Sequence, residues 1–266
     1  MNMQRQIASD LNQKQPAHPQ AIQKTTSKPK PYIVRNKAIN CEDCHLSRVC
    51  FNGVLEPDSQ RALQQITHHP KPVHKGDHLY RQGEEFQSIY IVRSGSIKLY
   101  RIDDAGNQHI AGFFMAGELF GMDGLVNSKY SNSAVALDTT SLCEIPFKQI
   151  DKCFDTLPDM QRLLINALCN EVNERQQPLL QLHHKQVEVR LASCLLDLSK
   201  RFAKLGQSAS EFNLPMSRRD LAQYLGMTEE TISRLFTRFQ KTKLITVSRR
   251  KVHLNKLQAL KQLALS

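Results

Sequence analysis

The chain has 266 residues, enough for one large domain or two ordinary ones, a net charge of +11 and a hydrophobic content of 40%. No apolar run approaches the ~20 residues that a bilayer span needs, and the opening MNMQRQIASD lacks the apolar stretch of a signal peptide, so the sequence predicts a soluble, cytoplasmic protein with no membrane partner. Seven cysteines, an odd number, argue against a secreted disulfide framework and for metal or redox chemistry in a reducing compartment.

The charge is unevenly placed. Residues 1–40 hold seven Lys/Arg against one Asp, residues 211–266 hold eleven against four, and the stretch between them carries the remaining −2. A basic C-terminal segment on a near-neutral body fits an acidic partner, most simply nucleic acid, and it fits a merely solvated surface equally well. Residues 1–38, rich in Gln, Lys, Pro, Ser and Asn, bury too little to offset ordering entropy and are expected to be a disordered basic arm. Next comes NCEDCHLSRVC, with Cys41, Cys44 and Cys50 inside ten residues. Three thiols neither pair off as disulfides nor complete a four-coordinate metal site, so the stretch asks for a fourth ligand.

Over residues 72–150 short alternating runs are broken by turns at Gly83, Gly95 and Gly106, about twelve residues apart, the pattern of a sandwich or barrel; SLCEIPF reads as a further strand closed by Pro146. Residues 158–184 switch to helical period. Ile165, Leu168, Val172, Arg175, Leu179 and Leu182 fall on alternating spacings of 3 and 4, an a/d seam suited to a homodimer or, as the alternative, to a long helix packed on its own domain, with Arg175 at a d position and Pro178 expected to kink the helix. A further helix is expected at about 185–204, ending near Gly206.

PMSRRDLAQYLGMTEETISRLFTRFQKTKLI, residues 215–245, is the most specific local pattern. Ser217 with Asp220 makes a capping-box-like start; Leu221, Ala222 and Leu225 give a short amphipathic helix; Gly226 and Met227 turn the chain; Thr228 caps a second helix that buries Ile232, Leu235, Phe236 and Phe239. Two helices joined by a tight glycine turn are the helix-turn-helix, whose second helix enters the DNA major groove. Glu230, Ser233 and Arg234 share one face at i, i+3, i+4. Glu230 is suited to a cytosine amine, Arg234 to guanine O6/N7 and Ser233 to a neighbouring base, while Glu229 complements the helix dipole. Ser217, Arg218, Thr228 and Arg238 join them as candidate DNA contacts, and SRRKVHL reads as a wing strand with Arg249, Arg250 and Lys251 suited to phosphates.

A glycine-punctuated β-roll, a long helix and a C-terminal TISRLFTRFQ reader together resemble the CRP/FNR family of bacterial transcription factors over about residues 40–260. The C-x2-C-x5-C run is similar to that of its FNR (fumarate and nitrate reduction regulator) branch. The resemblance implies an α+β protein with a cyclic-nucleotide-binding-like β-roll (a jelly roll), a dimerisation helix and a winged helix-turn-helix. The implied boundaries are 1–38 for the arm, 39–157 for the cysteine loop and sensor domain, 158–184 for the helix and 185–266 for the reader. It implies a [4Fe–4S] cluster on Cys41, Cys44, Cys50 and Cys143; without it, Cys143 reads as a small buried hydrophobe. Cys153, Cys169 and Cys194 match no ligand position. It further implies an oxygen-responsive homodimer that, with RNA polymerase, controls anaerobic-metabolism genes from palindromic double-stranded TTGAT-type sites. The aspartate that keeps the family's apoprotein monomeric is replaced by Arg175.

Three rivals stand beside this. The thiols suit zinc, with His45 or Cys50 helping to complete a tetrahedron. Gly117 and Glu118 match a cyclic-nucleotide phosphate motif, but no arginine follows as far as Leu137. An electron carrier or iron–sulfur enzyme would have no use for a helix-turn-helix, and no phosphate loop or nucleophile elbow is present.

Overall fold

The computed structural model describes residues 41, 44–47, 49–50, 55–154, 159, 161–162, 164–166, 168–169 and 186–265. The expected arm, and Val172, Arg175, Pro178, Leu179 and Leu182 of the expected seam, lie outside these residues. The N-terminal half opens with helix α1 (Pro57–Ile66), started by Pro57 in its first turn, where a missing N–H leaves no partner unsatisfied. Strands β1 (His78–Tyr80), β2 (Ser88–Ser94), β3 (Ser96–Ile102), β4 (Gln108–Met115), β5 (Leu119–Phe120), β6 (Ser133–Ala136) and β7 (Ser141–Pro146) follow, then helix α2 (Phe147–Phe154). The strands form two antiparallel sheets, ordered β1-β6-β3-β4 and β5-β2-β7. Gly95 takes φ +83° between β2 and β3, and a Cβ there would meet Thr140 Oγ1 at 2.5 Å, so the turn requires glycine.

Strand alternation gives the β5-β2-β7 sheet two different apolar faces. Tyr90, Val92, Phe120 and Leu142 point into the roll against Ile97, Leu99 and Ala134. Ile89, Ile91, Cys143 and Ile145 point outward, into a second core with Leu63 of α1 and Ile150 of α2. Burying a Leu or Ile in this way stabilises the fold by roughly 1.5–3 kcal/mol. The two helices were not foreseen in the sequence, and they turn one face of an expected two-sheet roll into the wall of a third layer.

Helical residues resume at Asp159 and recur through Cys169, where the sequence predicts the seam to begin. Leu164 and Leu168 pack into the outer core beside Cys50 and Cys143, whereas Ile165 is 53% exposed. Ser59 of α1 donates to Asp159 Oδ1 at 2.6 Å and ties this segment to the same layer.

The C-terminal half comprises α3 (Val187–Lys204), β8 (Glu211–Asn213), α4 (Arg218–Tyr224), α5 (Glu229–Lys241), β9 (Ile245–Ser248), β10 (Lys251–Leu254) and α6 (Leu257–Leu265). Its sheet is ordered β8-β10-β9. Leu191 and Leu195 of α3, Leu221 of α4 and Ile232, Phe236 and Phe239 of α5 close one core, which Phe113 and Met115 of β4 join. No helix among the described residues is long and apolar enough to cross a membrane.

Candidate metal centre and nucleic-acid interface

The cysteine stretch folds as consecutive turns. The Cys44 N–H donates to the Cys41 carbonyl at 3.2 Å, Ser47 to Cys44 at 2.9 Å and Cys50 to Leu46 at 2.8 Å. Leu46, buried, anchors the loop on the protein. Cys143 enters from β7, opposite Ile91 of β2 in the ladder. Cys41, Cys44, Cys50 and Cys143 line one cavity, walled by Leu46, Leu63, Thr67, Ile91 and Ile145 and reached by one charged side chain, Arg93. The four ligand candidates are thus brought together although Cys143 stands 93 positions after Cys50. Burial pushes the Cys143 thiol up to about 12, the neighbouring cysteines add to the shift, and Arg93 opposes it.

The other cysteines stay apart from this cavity. Cys194 sits against the reader core, where burial pushes its thiol up to about 12. Cys153 packs on the outer core and Cys169 is exposed. His45 is exposed and lines a separate cleft, so the nitrogen that a Cys/His zinc site would recruit is not in the thiol cavity. Among the described residues no three His, Cys, Asp or Glu side chains are drawn together closely enough to hold one metal ion. Four thiols surrounding an apolar space are a donor set that fits an iron–sulfur cluster, which four thiolates hold.

The reader is capped as its sequence indicates. Ser217 Oγ accepts the Asp220 N–H at 3.0 Å, and Thr228 Oγ1 accepts the Thr231 N–H at 3.1 Å. The capping box is incomplete, because the Asp220 carboxylate takes the Ser217 hydroxyl at 2.6 Å and Lys98 Nζ of β3 at 2.6 Å instead of reaching back to the chain. Glu230 and Arg234 are 72% and 79% exposed and joined at 2.6 Å, with Ser233 exposed between them. The three therefore form one accessible face on the first turns of α5.

Four basic residues expected to contact DNA are engaged inside the protein. Arg238 pairs with Glu188 of α3, and the Arg218 guanidinium lies over the Phe236 ring, 3.1 Å from its centre. In the wing, Arg250 donates to the Leu214 and Pro215 carbonyls at 3.0 and 2.7 Å, and Lys251 pairs with Glu211 at 2.5 Å. Arg249, at the hairpin turn with φ +54°, has no hydrogen bond or ion pair among the described residues.

The cyclic-nucleotide motif is also occupied. The Arg201 fork of α3 grips both oxygens of Glu118, at 2.7 and 2.6 Å, and Glu118 accepts the Met115 N–H as well. The same guanidinium donates to the Phe113 carbonyl at 2.6 Å. Neither this pair nor Arg93 was found by reading the sequence. Only a fold brings them to their partners, and no local spacing signals them.

Residues 70–156 match the cyclic nucleotide-binding domain family and residues 189–263 the Crp-like helix-turn-helix domain family. The transcriptional activator protein Anr of Pseudomonas protegens is 40% identical over 228 residues, 86% of this chain and 93% of that protein. The fumarate and nitrate reduction regulatory protein of Escherichia coli K12 is 39% identical over 227 residues, 85% of this chain and 91% of its own length. Among solved structures, FixK2 from Bradyrhizobium japonicum superposes with a TM-score of 0.69 at 25% identity, covering 74% of this chain and 97% of that one. The chain belongs to the CRP/FNR family of transcription regulators, which act by binding DNA through the helix-turn-helix and are not enzymes.

Proposed function

We propose that this protein is an oxygen-responsive transcription regulator whose [4Fe–4S] cluster is held by Cys41, Cys44, Cys50 and Cys143. The observation that carries the reading is the gathering of those four thiols around one apolar cavity. When bound, the cluster supplies an oxygen-labile centre. The chain's own residues supply the coupling. The loop at 41–50 and strand β7 are tied through the shared ligands, and Cys50 and Cys143 pack in the same core as Leu164 and Leu168 at the start of the expected dimer helix. Ordering the loop favours that core and with it the homodimer; a relaxed loop weakens both. A coupling of a few kcal/mol suffices for a dimer poised near dissociation.

The dimer presents two copies of α5 one DNA turn apart, matching a palindromic double-stranded site with TTGAT-type half-sites read by Glu230, Ser233 and Arg234. In company with RNA polymerase it controls genes of anaerobic metabolism; a relative named as a fumarate and nitrate reduction regulatory protein supports this reading. Glu118, engaged by Arg201, is not available to a cyclic nucleotide without breaking an interdomain pair, and His45 lines a neighbouring cleft rather than the thiol cavity.

The test is anaerobic purification followed by spectroscopy and iron and sulfide assay. A broad band near ~400 nm, about four irons and four sulfides per chain and bleaching in air are expected. Cys143→Ala should lose the band and the iron while retaining the wild-type far-ultraviolet circular dichroism. A Cys143→Ala protein that still holds four irons would sink the ligand assignment. A colourless wild type holding one zinc would sink the oxygen-sensing reading and leave the DNA-binding family membership untouched.

A further inference from the structure

Resting on the iron–sulfur reading, we infer that Arg93 is the counter-charge of the thiol cavity, a positioning residue that holds the anionic cluster and sets how quickly oxygen bleaches it. Along β2, Ile89 and Ile91 face the outer core, and Arg93 is next on that face. The β2–β7 ladder slips register between Val92 and Ser94, at Arg93 itself, a local irregularity of the kind that re-aims a side chain. Arg93 lines the thiol cavity, whose other wall residues besides the cysteines are the neutral Leu46, Leu63, Thr67, Ile91 and Ile145. It also lines a cleft that runs to the wing, beside His45 and Arg249. Among the described residues no carboxylate pairs with Arg93.

A half-buried guanidinium with no carboxylate partner at the edge of an apolar space calls for an anion there, because charge in such surroundings is stable only when paired. Four thiolates around a [4Fe–4S]2+ core leave a net charge of about −2. In a wall of low polarity that charge is poorly solvated, and one fixed cation offsets part of it. A cation beside the cluster stabilises the more reduced, more negative form. Its removal therefore makes electron loss to oxygen easier and moves the reduction potential to more negative values. The role needs charge rather than the guanidinium fork, so lysine should replace it.

The experiment compares wild type, Arg93→Lys and Arg93→Gln as full chains, reconstituted without oxygen under identical conditions. Cluster content, the midpoint potential from a mediated titration followed by paramagnetic resonance, and the bleaching rate in air-saturated buffer are measured. Arg93→Gln is expected to bleach several-fold faster, with a more negative midpoint, and Arg93→Lys to stay near wild type in both. Failure of Arg93→Gln to retain any cluster while Arg93→Lys retains it also supports the role. A brown wild type whose Arg93→Gln variant matches it in potential and bleaching rate overturns this inference alone. An Arg93→Lys protein that behaves as Arg93→Gln overturns it too. A wild type that holds no cluster overturns it together with the reading on which it rests.

Discussion

At the scale of single residues, the least ordinary group is the Cys143 thiol. An unperturbed thiol ionises near 9, but burial pushes Cys143 up to about 12. At pH 8 only ~10⁻⁴ of it is thiolate, against ~10⁻¹ for an unperturbed thiol. The neutral thiol is inert to alkylation, so the metal-free protein should label slowly at Cys143, and the rate should climb about tenfold per pH unit to well above pH 9. Differential alkylation read by mass spectrometry, with exposed Cys169 as the accessible reference, measures this. Rapid labelling of Cys143 at pH 7 would mean that the cavity is open to water. The sign matters for loading as well, because a ligand that binds as thiolate must displace this proton, so metal affinity at the site rises with pH. Other residue-scale features were legible in advance. Ser217 and Thr228 cap their helices because capping depends on neighbours three positions away, which a sequence displays directly. The partners of Arg218 and Arg250 were not legible, for the opposite reason. Their ring and carbonyl partners come from other elements, so no local spacing shows that these basic residues also pack within the reader.

At the scale of elements, the reader and the roll are joined by contacts that no spacing could reveal. Lys98 of β3 meets Asp220 of α4 at 2.6 Å across 122 positions, with both side chains largely buried. Arg201 meets Glu118 across 83 positions, Phe113 of β4 stacks edge-on to Tyr224 of α4, and the Gln223 amide donates to the Gln108 carbonyl. Removing one partner of a buried pair leaves the other charge stranded, a loss of about 3–5 kcal/mol when burial is complete. Arg201 and Glu118 are 20% and 30% exposed, which reduces the expected loss to about 2–3 kcal/mol. Arg201→Met should therefore melt ~5–10 °C lower than wild type, and the segment between roll and reader should become more sensitive to limited proteolysis. Arg61→Ala, which breaks an exposed pair with Asp58, should leave the melting curve where it was. If Arg201→Met melts like wild type, the Arg201–Glu118 clamp does not hold the two halves together. The fold class itself was readable because glycine-punctuated alternation and helical period are local. α1 and α2 were missed because each is only a few turns long and their apolar face matches a sheet that the sequence does not show.

At the scale of the whole molecule, charge and assembly pull in different directions. The first 40 residues and the last 56 carry +6 and +7, so two chains brought together repel at their ends until a polyanion is present. Ile165, 53% exposed on a segment whose Leu164 and Leu168 are packed inward, is the apolar side chain left over for a partner. In the heptad read from the sequence, Val172 and Leu179 follow Ile165 at a, while Arg175 and Leu182 follow Leu168 at d. Two copies of Arg175 facing each other would bring like charges into a desolvated seam. In the proposed dimer that penalty would hold the cluster-free chains apart and leave a loop-ordering signal to decide the outcome. Arg175→Leu removes the repulsion and adds an apolar d residue. Its metal-free form should dimerise at least tenfold more tightly than metal-free wild type, about 1.4 kcal/mol. It should also shift palindromic DNA in air under conditions where the proposed function expects no shift by wild type. Sedimentation velocity across a concentration series measures the first effect directly. Should the metal-free variant sediment as the same monomer as wild type, Arg175 does not face its copy, and the dimer must form on a surface other than this seam.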